Sequence, residues 1–388
     1  MPKKKKKEVE KDPKKEQKVV DDRAEQLQAL YKAAKKKGVK IGYANEYQWG
    51  HIPRVTTGVL SLDRSLGGGL PVGRISMFYG PKSSSKTTAF LRAAGRAQRM
   101  CSTCWTPAFP IWTPNYEPQE PKCACGEYRQ CIVAWCDVEG VWDKKWSERF
   151  LNVDDLVFSQ PETGEQASDI AHTLVSSGSV DIVVVDSIAF MTPFVELEKS
   201  AAEKTVGEQA RLIGNTMRRL VSSTNSICQR EGRRPSVWFT NQIRMKVGVM
   251  FGNPETVSGG LAQGFATSCE TRMSPGKYER NTDTDTTLAA IMKFRNEKNK
   301  TGPAKMEGEY KLILAKSEVK NVGDVMDEQY ARKLGEAAGL VKVGRGRAAT
   351  EYDGVEYDGV SLLERHWMLH PGEYEMYKAR LLETLLAV

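Results

Sequence analysis

Apolar runs and small-residue loops alternate along the middle of this chain in the order of a parallel sheet. Ile75-Ser76-Met77-Phe78-Tyr79 is a compact apolar run, followed by Gly80-Pro81-Lys82-Ser83-Ser84-Ser85-Lys86-Thr87-Thr88 and then Ala89-Phe90-Leu91-Arg92-Ala93-Ala94. That order predicts strand, loop, helix. A second strand is predicted at Ile132-Val133-Ala134-Trp135-Cys136, ending in Asp137-Val138-Glu139. The β-branched run Ser179-Val180-Asp181-Ile182-Val183-Val184-Val185-Asp186-Ser187 has the pattern of a strand buried on both faces. Asp186 closes it at the carboxyl end, where ligands bind in open α/β sheets. Ser236-Val237-Trp238-Phe239-Thr240 predicts a further strand, ending in Asn241-Gln242. Three strand ends therefore deliver Glu139, Asp186 and Gln242 towards the loop at 80–88. Ahead of all this, residues 19–37 predict a helix capped by Asp21 or Asp22, with lysines in its last turn and Gly38 beyond. Leu27, Leu30, Tyr31 and Ala34 form its narrow apolar stripe.

Each loop has its own chemistry. A small-residue loop opening a helix points backbone N–H groups at an anion, which suits a polyphosphate. Lys86 is placed to reach the β/γ-phosphates, and the Thr87 hydroxyl to hold Mg²⁺ with Asp186. Ser85 stands where a P-loop has glycine, and serine is the next smallest residue that lets backbone approach a phosphate. The expected ligands are a polyphosphate and Mg²⁺. Between Ile243 and Gly260 stand Gly248, Gly252, Pro254, Gly259 and Gly260, too many breakers for a strand or helix. There Arg244 and Lys246 alternate with Met245 and Val247, so an extended chain turns cations one way and apolar groups the other. That arrangement suits the phosphates and bases of a nucleic acid. Arg211, Asn215 and Arg218 share one helical face, opposite Ile213, Met217, Leu220 and Val221.

Composition adds bounds. At 388 residues the chain exceeds one typical domain. The formal charge of +8 is modest, but residues 1–18 hold nine lysines against four acids and predict a solvated, disordered tail, or a non-specific contact to nucleic acid. No apolar run approaches a membrane span and no apolar leader begins the chain, so a soluble, cytoplasmic protein is expected. Of the eight cysteines, five lie between 101 and 131, which predicts metal before disulfides. Cys101-x₂-Cys104 and Cys123-Ala124-Cys125 read as paired knuckles for structural Zn²⁺. Because the second knuckle is tighter than usual, Cys131 stands as a substitute ligand, and unliganded thiols are the alternative. Cys136, Cys228 and Cys269 are expected in the core.

The segments Thr57-Gly58 with Ser61-Leu62-Asp63, the loop at 80–88, Gln160-Pro161-Glu162-Thr163-Gly164-Glu165-Gln166 and Val184-Val185-Asp186-Ser187 resemble the RecA recombinase family. So does Asn241-Gln242-Ile243-Arg244-Met245-Lys246-Val247-Gly248-Val249-Met250-Phe251-Gly252-Asn253-Pro254-Glu255-Thr256, which is similar to that family's second DNA-binding loop. The resemblance spans roughly residues 20–388, interrupted by the cysteine segment. It implies a RecA-like P-loop NTPase core, a DNA-dependent ATPase and a recombinase that polymerises on single-stranded DNA and exchanges it with duplex. Glu139 would be the catalytic glutamate, Asp143 and Trp146 the adenine contacts, and Gln242 the switch that senses the γ-phosphate. Lys298 and Lys300 would reach the next subunit's ATP. Val247, and Val206 beside Gly207, would be the wedges between bases. Gly264 and Glu270 depart from the family's basic residues at the subunit interface, whereas Phe265 keeps its aromatic. The implied organisation is a tail at 1–18, an oligomerisation arm at 19–50, the ATPase core at 51–324 with the insertion at 100–131, and a DNA-gathering α/β domain at 325–388. No acidic tail follows Val388, which implies that an autoinhibitory charge is missing. The competing expectations are a RecA-core helicase or translocase and an ATP-gated DNA-coating protein with negligible turnover.

Overall fold

The computed structural model describes residues 13–39, 41–42, 52–108, 123–199, 207–245, 255–260, 262–344 and 349–386, apart from the side chains of 13–22. Two compact units divide the chain, Met1–His51 and Ile52–Val388. In the first, α1 runs Pro13–Lys36. It therefore starts earlier than the expected residue 19, and part of the basic segment read as a disordered tail is helical. Proline explains the start: its fixed φ suits the first helical position, where its missing N–H removes no bond. Lys35 and Lys36 sit against the negative end of the helix. Gly38, at φ +69°, stops it. Leu27 and Leu30 of the stripe are exposed, and Ala34 is buried.

The second unit begins with β1 (Arg54–Val55), α2 (Leu60–Leu66), β2 (Leu70–Pro71), β3 (Ile75–Gly80) and α3 (Lys86–Ala97). Next come β4 (Val133–Asp137), α4 (Lys144–Ser147), β5 (Leu156–Ser159), α5 (Gly164–Ser177), β6 (Ile182–Asp186), α6 (Phe194–Leu197) and α7 (Glu208–Glu231). Then follow β7 (Ser236–Met245), β8 (Glu255–Val257), α8 (Ala262–Ala266), β9 (Cys269–Asn281), β10 (Thr286–Asn299) and β11 (Glu307–Ile313). The last stretch holds β12 (Val325–Met326), α9 (Glu328–Ala337), β13 (Val341–Val343), β14 (Thr350–Tyr352), β15 (Val355–Tyr357), α10 (Val360–Leu369) and α11 (Pro371–Leu386).

One large sheet runs β12-β11-β10-β9-β3-β7-β6-β4-β5. From β9 to β5 every neighbouring pair is parallel, and β9 to β12 form an antiparallel extension. The continuous apolar runs follow from helices on both faces. Val133, Trp135, Ile182, Val184 and Trp238 pack with Phe90 of α3 on one side. Their neighbours Ala134, Cys136, Val183, Val185, Val237 and Phe239 pack with Ala171 of α5 and Met217 of α7 on the other. Phe90 lies parallel to Phe78 at 4.3 Å and stacks on Trp238 at 5.5 Å, which locks the P-loop helix to the sheet. Truncating either Phe90 or Trp238 to alanine removes buried contacts worth ~3–5 kcal/mol. Val325 and Met326 pair with β11, so they belong to the large sheet. The chain after them builds a three-stranded sheet, β13-β14-β15, over an aromatic cluster of Trp367, Tyr374 and Tyr377.

Two expectations are corrected here. β7 does not stop at Thr240 but continues to Met245, and β8 pairs back on it (Ile243 with Val257, Arg244 with Thr256, Met245 with Glu255). The base of the presumed irregular loop is thus a hairpin. Gly259 and Gly260 follow the paired positions, Gly248, Gly252 and Pro254 lie outside the described residues, and Arg272 grips Glu255 from β9 with two bonds of 2.9 and 2.6 Å. Cys136 and Cys269 are core residues as expected, but Cys228 is only half-buried.

Candidate active site

The loop at 80–88 joins β3 to α3 in backbone conformations that only small residues accept easily. A Cβ on Gly80 would stand 1.9 Å from the Met273 carbonyl oxygen, so this position must be glycine. Ser83 and Ser85 are left-handed, at φ +56° and +63°. An L-residue in that conformation costs ~1–2 kcal/mol. Lys86 folds back over the loop: its ammonium donates to the carbonyls of Pro81 at 2.7 Å and Gly80 at 3.2 Å.

The strand tips meet here. Thr87 Oγ1 donates to Asp186 Oδ2 at 2.8 Å, and the Thr240 hydroxyl donates to Asp186 Oδ1. Glu139 Oε1 accepts from Gln242 Nε2 at 3.5 Å, and its other oxygen from Ser187 Oγ at 3.5 Å. Burial raises the pKa of Asp186. Burial and the Asp186 charge raise that of Glu139, and burial lowers that of Lys86. Each group is pushed towards its neutral form, and a phosphate–cation pair supplies the charges that reverse this. A hydroxyl and a carboxylate converging at 2.8 Å, with a lysine at the helix start, fit Mg²⁺ and a triphosphate.

Sequence reasoning missed Asp137. Its carboxylate accepts from the N–H groups of Gly140, Val141 and Trp142 and from Gln160 Nε2, and so holds the turn that carries Glu139. The signal was an acid at a strand tip two residues before another. Asp143 caps α4, accepting from the Trp146 N–H at 3.0 Å. Trp146 is half-buried, with its ring edge-on to Phe150 at 5.2 Å. Trp142, partly buried, packs between buried Trp135 and exposed Phe158 at the edge of the core. Lys298 donates to the Gly264 carbonyl and pairs with Glu270 at 3.6 Å, and Lys300 donates to the Phe265 carbonyl at 3.2 Å. Both lysines thus grip α8, and Phe265 stands 79% exposed beside them.

The nucleic-acid candidates lie one step beyond Gln242. Arg244 and Met245 are exposed at the hairpin end. Val206, Lys246, Val247 and Gly248 lie outside the described residues. Gly207 caps α7. Gly259, at φ +94°, lies where a Cβ would meet Ile213 at 2.7 Å, and Gly260 follows at φ +71°. Arg211, Asn215 and Arg218 share the exposed face of α7. Arg211 pairs with Glu208 at 2.9 Å, and Arg218 bonds to Asn215. Asn241, not foreseen, is buried; it donates to Ser258 O and Gln263 Oε1 at 3.0 Å and so pins the hairpin's return. Gln242, Arg244, Gly207, Gln209 and Gly259 line a cavity of about 530 Å³.

The family model described as RecA N-terminal domain matches residues 25–109 and 123–318. Protein RecA of Teredinibacter turnerae is 38% identical over 287 residues, 73% of this chain and 72% of the relative. The chain belongs to the RecA family. Protein RecA of Azospirillum lipoferum is 35% identical over 349 residues, 89% of this chain and 83% of that one. Protein RecA of Marinobacter nauticus is 36% identical over 306 residues, covering 76% and 77%. As a RecA-family member the chain is a DNA-dependent P-loop ATPase that uses ATP and Mg²⁺, and an ATP-dependent recombinase of DNA repair. Among the described residues no helix is long and apolar enough to cross a membrane.

The RecA match breaks between 109 and 123, inside the cysteine segment. There Cys101, Cys104, Cys123 and Cys125 bring their sulfurs within 4.8 Å of one another. Cys101 lies 3.7 Å and Cys123 3.3 Å from the Cys125 sulfur. Tetrahedral Zn²⁺ with bonds of ~2.3 Å sets sulfurs about 3.8 Å apart, so the four fit it. Cys131, the substitute, is instead buried in the core beside β4. The first knuckle is pinned by Cys101 N–H to Thr106 O at 3.0 Å and Ser102 N–H to Arg129 O at 2.7 Å.

Proposed function

We propose that this RecA-family recombinase assembles as a filament on single-stranded DNA, pairs it with duplex, and couples the grip to its nucleotide through Gln242. Lys86 and the loop at 80–88 hold the triphosphate, and Asp143 and Trp146 hold the base. Glu139 orients the attacking water and accepts its proton. Held by Thr87 and Asp186, Mg²⁺ supplies charge neutralisation on the phosphates. Lys298 and Lys300 act on the neighbouring subunit's ATP, which requires them to leave the α8 carbonyls. Arg244, Lys246 and the α7 stripe contact phosphates, and Met245, Val247 and Val206 contact bases. The cysteine module is a closed structural Zn²⁺ site, and the protein works in the cytoplasm.

One observation carries the coupling. The same Gln242 side chain sits 3.5 Å from Glu139 and lines the cavity shared with Arg244, Gly207 and Gly259. A γ-phosphate that draws Glu139 or Gln242 changes the wall of that cavity. In the test, Gln242→Ala makes single-stranded DNA affinity the same with ATP as with ADP, while the wild type discriminates. Glu139→Gln keeps ATP-dependent DNA binding but loses hydrolysis by at least ~10²-fold, as expected for a lost general base. Electron microscopy with ATP and DNA should show helical filaments. Closed rings would overturn the recombinase geometry in favour of a motor.

A further inference from the structure

The C-terminal part of the chain gathers a second set of metal-ligating groups, distant in sequence from the cysteines. His366 lies on α10 and His370 caps its end. A spacing of four puts both imidazoles on one face, and their rings stack at 4.2 Å with 26° between planes. Glu373, in the first turn of α11, brings Oε2 to 2.8 Å from His366 Nε2. One nitrogen of each ring and one Glu373 oxygen lie within 4.8 Å of one another.

The backbone accounts for the convergence. The His370 N–H closes α10 on the His366 carbonyl at 2.9 Å, and the Tyr374 N–H bonds to the His370 carbonyl at 3.1 Å. The two helices thus meet at a single residue, and both flank the same small space. Behind them Trp367 stacks on Tyr377 at 4.4 Å and on Tyr374 at 5.4 Å, all three buried. Ligands carried on such a wall are held near their working positions before any ion arrives. On the open side the side chains of His366 and Glu373 are 26% and 53% exposed, which gives an entry path.

We propose that His366, His370 and Glu373 bind a divalent cation of the zinc class, with the fourth position open to water or an outside ligand. Two imidazoles and one carboxylate select Zn²⁺, Co²⁺, Ni²⁺ or Cu²⁺ over Mg²⁺ and Ca²⁺, which take oxygen shells. Tetrahedral bonds of ~2.0–2.1 Å set such ligands about 3.3 Å apart. His366 Nε2 and Glu373 Oε2 stand 2.8 Å apart and all three ligand atoms lie within 4.8 Å of one another, so turning the stacked imidazoles about χ2 completes the site. The bound ion clips the end of α10 to the start of α11.

The test uses the untagged full-length chain, equilibrated with micromolar Zn²⁺ and desalted, with zinc per protomer measured by elemental analysis. His370→Ala and Glu373→Gln each lose one zinc relative to the wild type. Cys104→Ser keeps that ion, whatever happens at the cysteine cluster. Cu²⁺ bound to the wild type shows two nitrogen couplings by electron paramagnetic resonance, and this two-nitrogen signal is absent in His370→Ala. Near-ultraviolet circular dichroism reports whether the Trp367 packing survives. If His370→Ala misfolds, the exposed-residue variant Glu373→Gln carries the comparison alone. Equal zinc in wild type and both variants leaves His366 and Glu373 as a plain hydrogen-bonded pair and overturns the proposal.

Discussion

The helix α3 has a candidate ligand site at each end, and the two are built on opposite principles. At its start, Lys86 folds over its own loop and Thr87 bonds to Asp186 at the tip of β6, and Lys86, Asp186 and Glu139 are each pushed towards neutrality. Beyond its end, four thiols from two short knuckles face one another. In the proposed reading the first arrangement transmits, because Thr87, Asp186 and Thr240 share hydrogen bonds and Glu139 bonds to Gln242. The second is complete in itself. On the same reading a single Zn²⁺ would satisfy all four thiols and hold the two knuckles together.

The contrast breaks most sharply at Lys86. Lys86→Ala should lower DNA-stimulated ATP turnover by ~10³-fold, the scale for removing a preorganised charge from a phosphoryl-transfer site. Zinc at the cysteines should be unchanged. Steady-state hydrolysis and elemental analysis on the same preparation check both. Turnover within tenfold of wild type would mean that another cation occupies the lysine's place.

At the other end, Cys104→Ser combined with Cys125→Ser should release the ion and lower the thermal midpoint by ~5 °C, the shift for a loss of about 4 kcal/mol in a chain of this size. Turnover should stay within ~3-fold, far from the loss at a charged catalytic group. If this pair instead matched Lys86→Ala, the two ends would be coupled through α3 and the contrast would be lost.

The pH profile of kcat/KM, which reports the free enzyme, sharpens the picture of the transmitting end. Glu139 has its pKa raised, so it gains a proton at a higher pH than an ordinary glutamate. Activity is present above that raised value and falls as pH drops through it. Lys86 has its pKa lowered, so its charge is lost earlier on the alkaline side. The bell should therefore be narrower than model side chains would give on both limbs. An acid limb at the ordinary glutamate value would contradict the burial that raises Glu139.

The two ends also differed in how far the chain alone disclosed them. The cysteine set was readable because tetrahedral ligands recur at short spacings. Cys131 stood as a substitute ligand until its burial beside β4 separated it from the other four. At the nucleotide end the strand-tip residues were foreseen, because continuous apolar runs imply a parallel sheet with its ligands at the carboxyl ends. Asp137, Thr240 and Asn241 were not. Each works through a partner 3 to 54 positions away, and spacing carries no trace of such a pairing. The continuation of β7 beyond Thr240 was hidden for a related reason, since the Arg272–Glu255 clamp that stabilises the hairpin joins two stretches with no common motif.

The smallest effect tests the departure in the loop. Ser85 adopts φ +63°, where glycine carries no steric penalty, so Ser85→Gly removes a strain of ~1 kcal/mol. Glycine loses more backbone freedom on folding, by roughly 0.5–1 kcal/mol. The two nearly cancel, and the thermal midpoint should move by less than ~3 °C. Because the loop then reaches the same conformation with no Cβ beside the phosphates, ATP should bind as well as before or up to ~5-fold more tightly, about 1 kcal/mol. Titration of a fluorescent ATP analogue measures this. A drop in affinity or in turnover would give the Ser85 hydroxyl a direct part in holding the nucleotide, and this chain's P-loop would then be a different device from the glycine form rather than a strained copy of it.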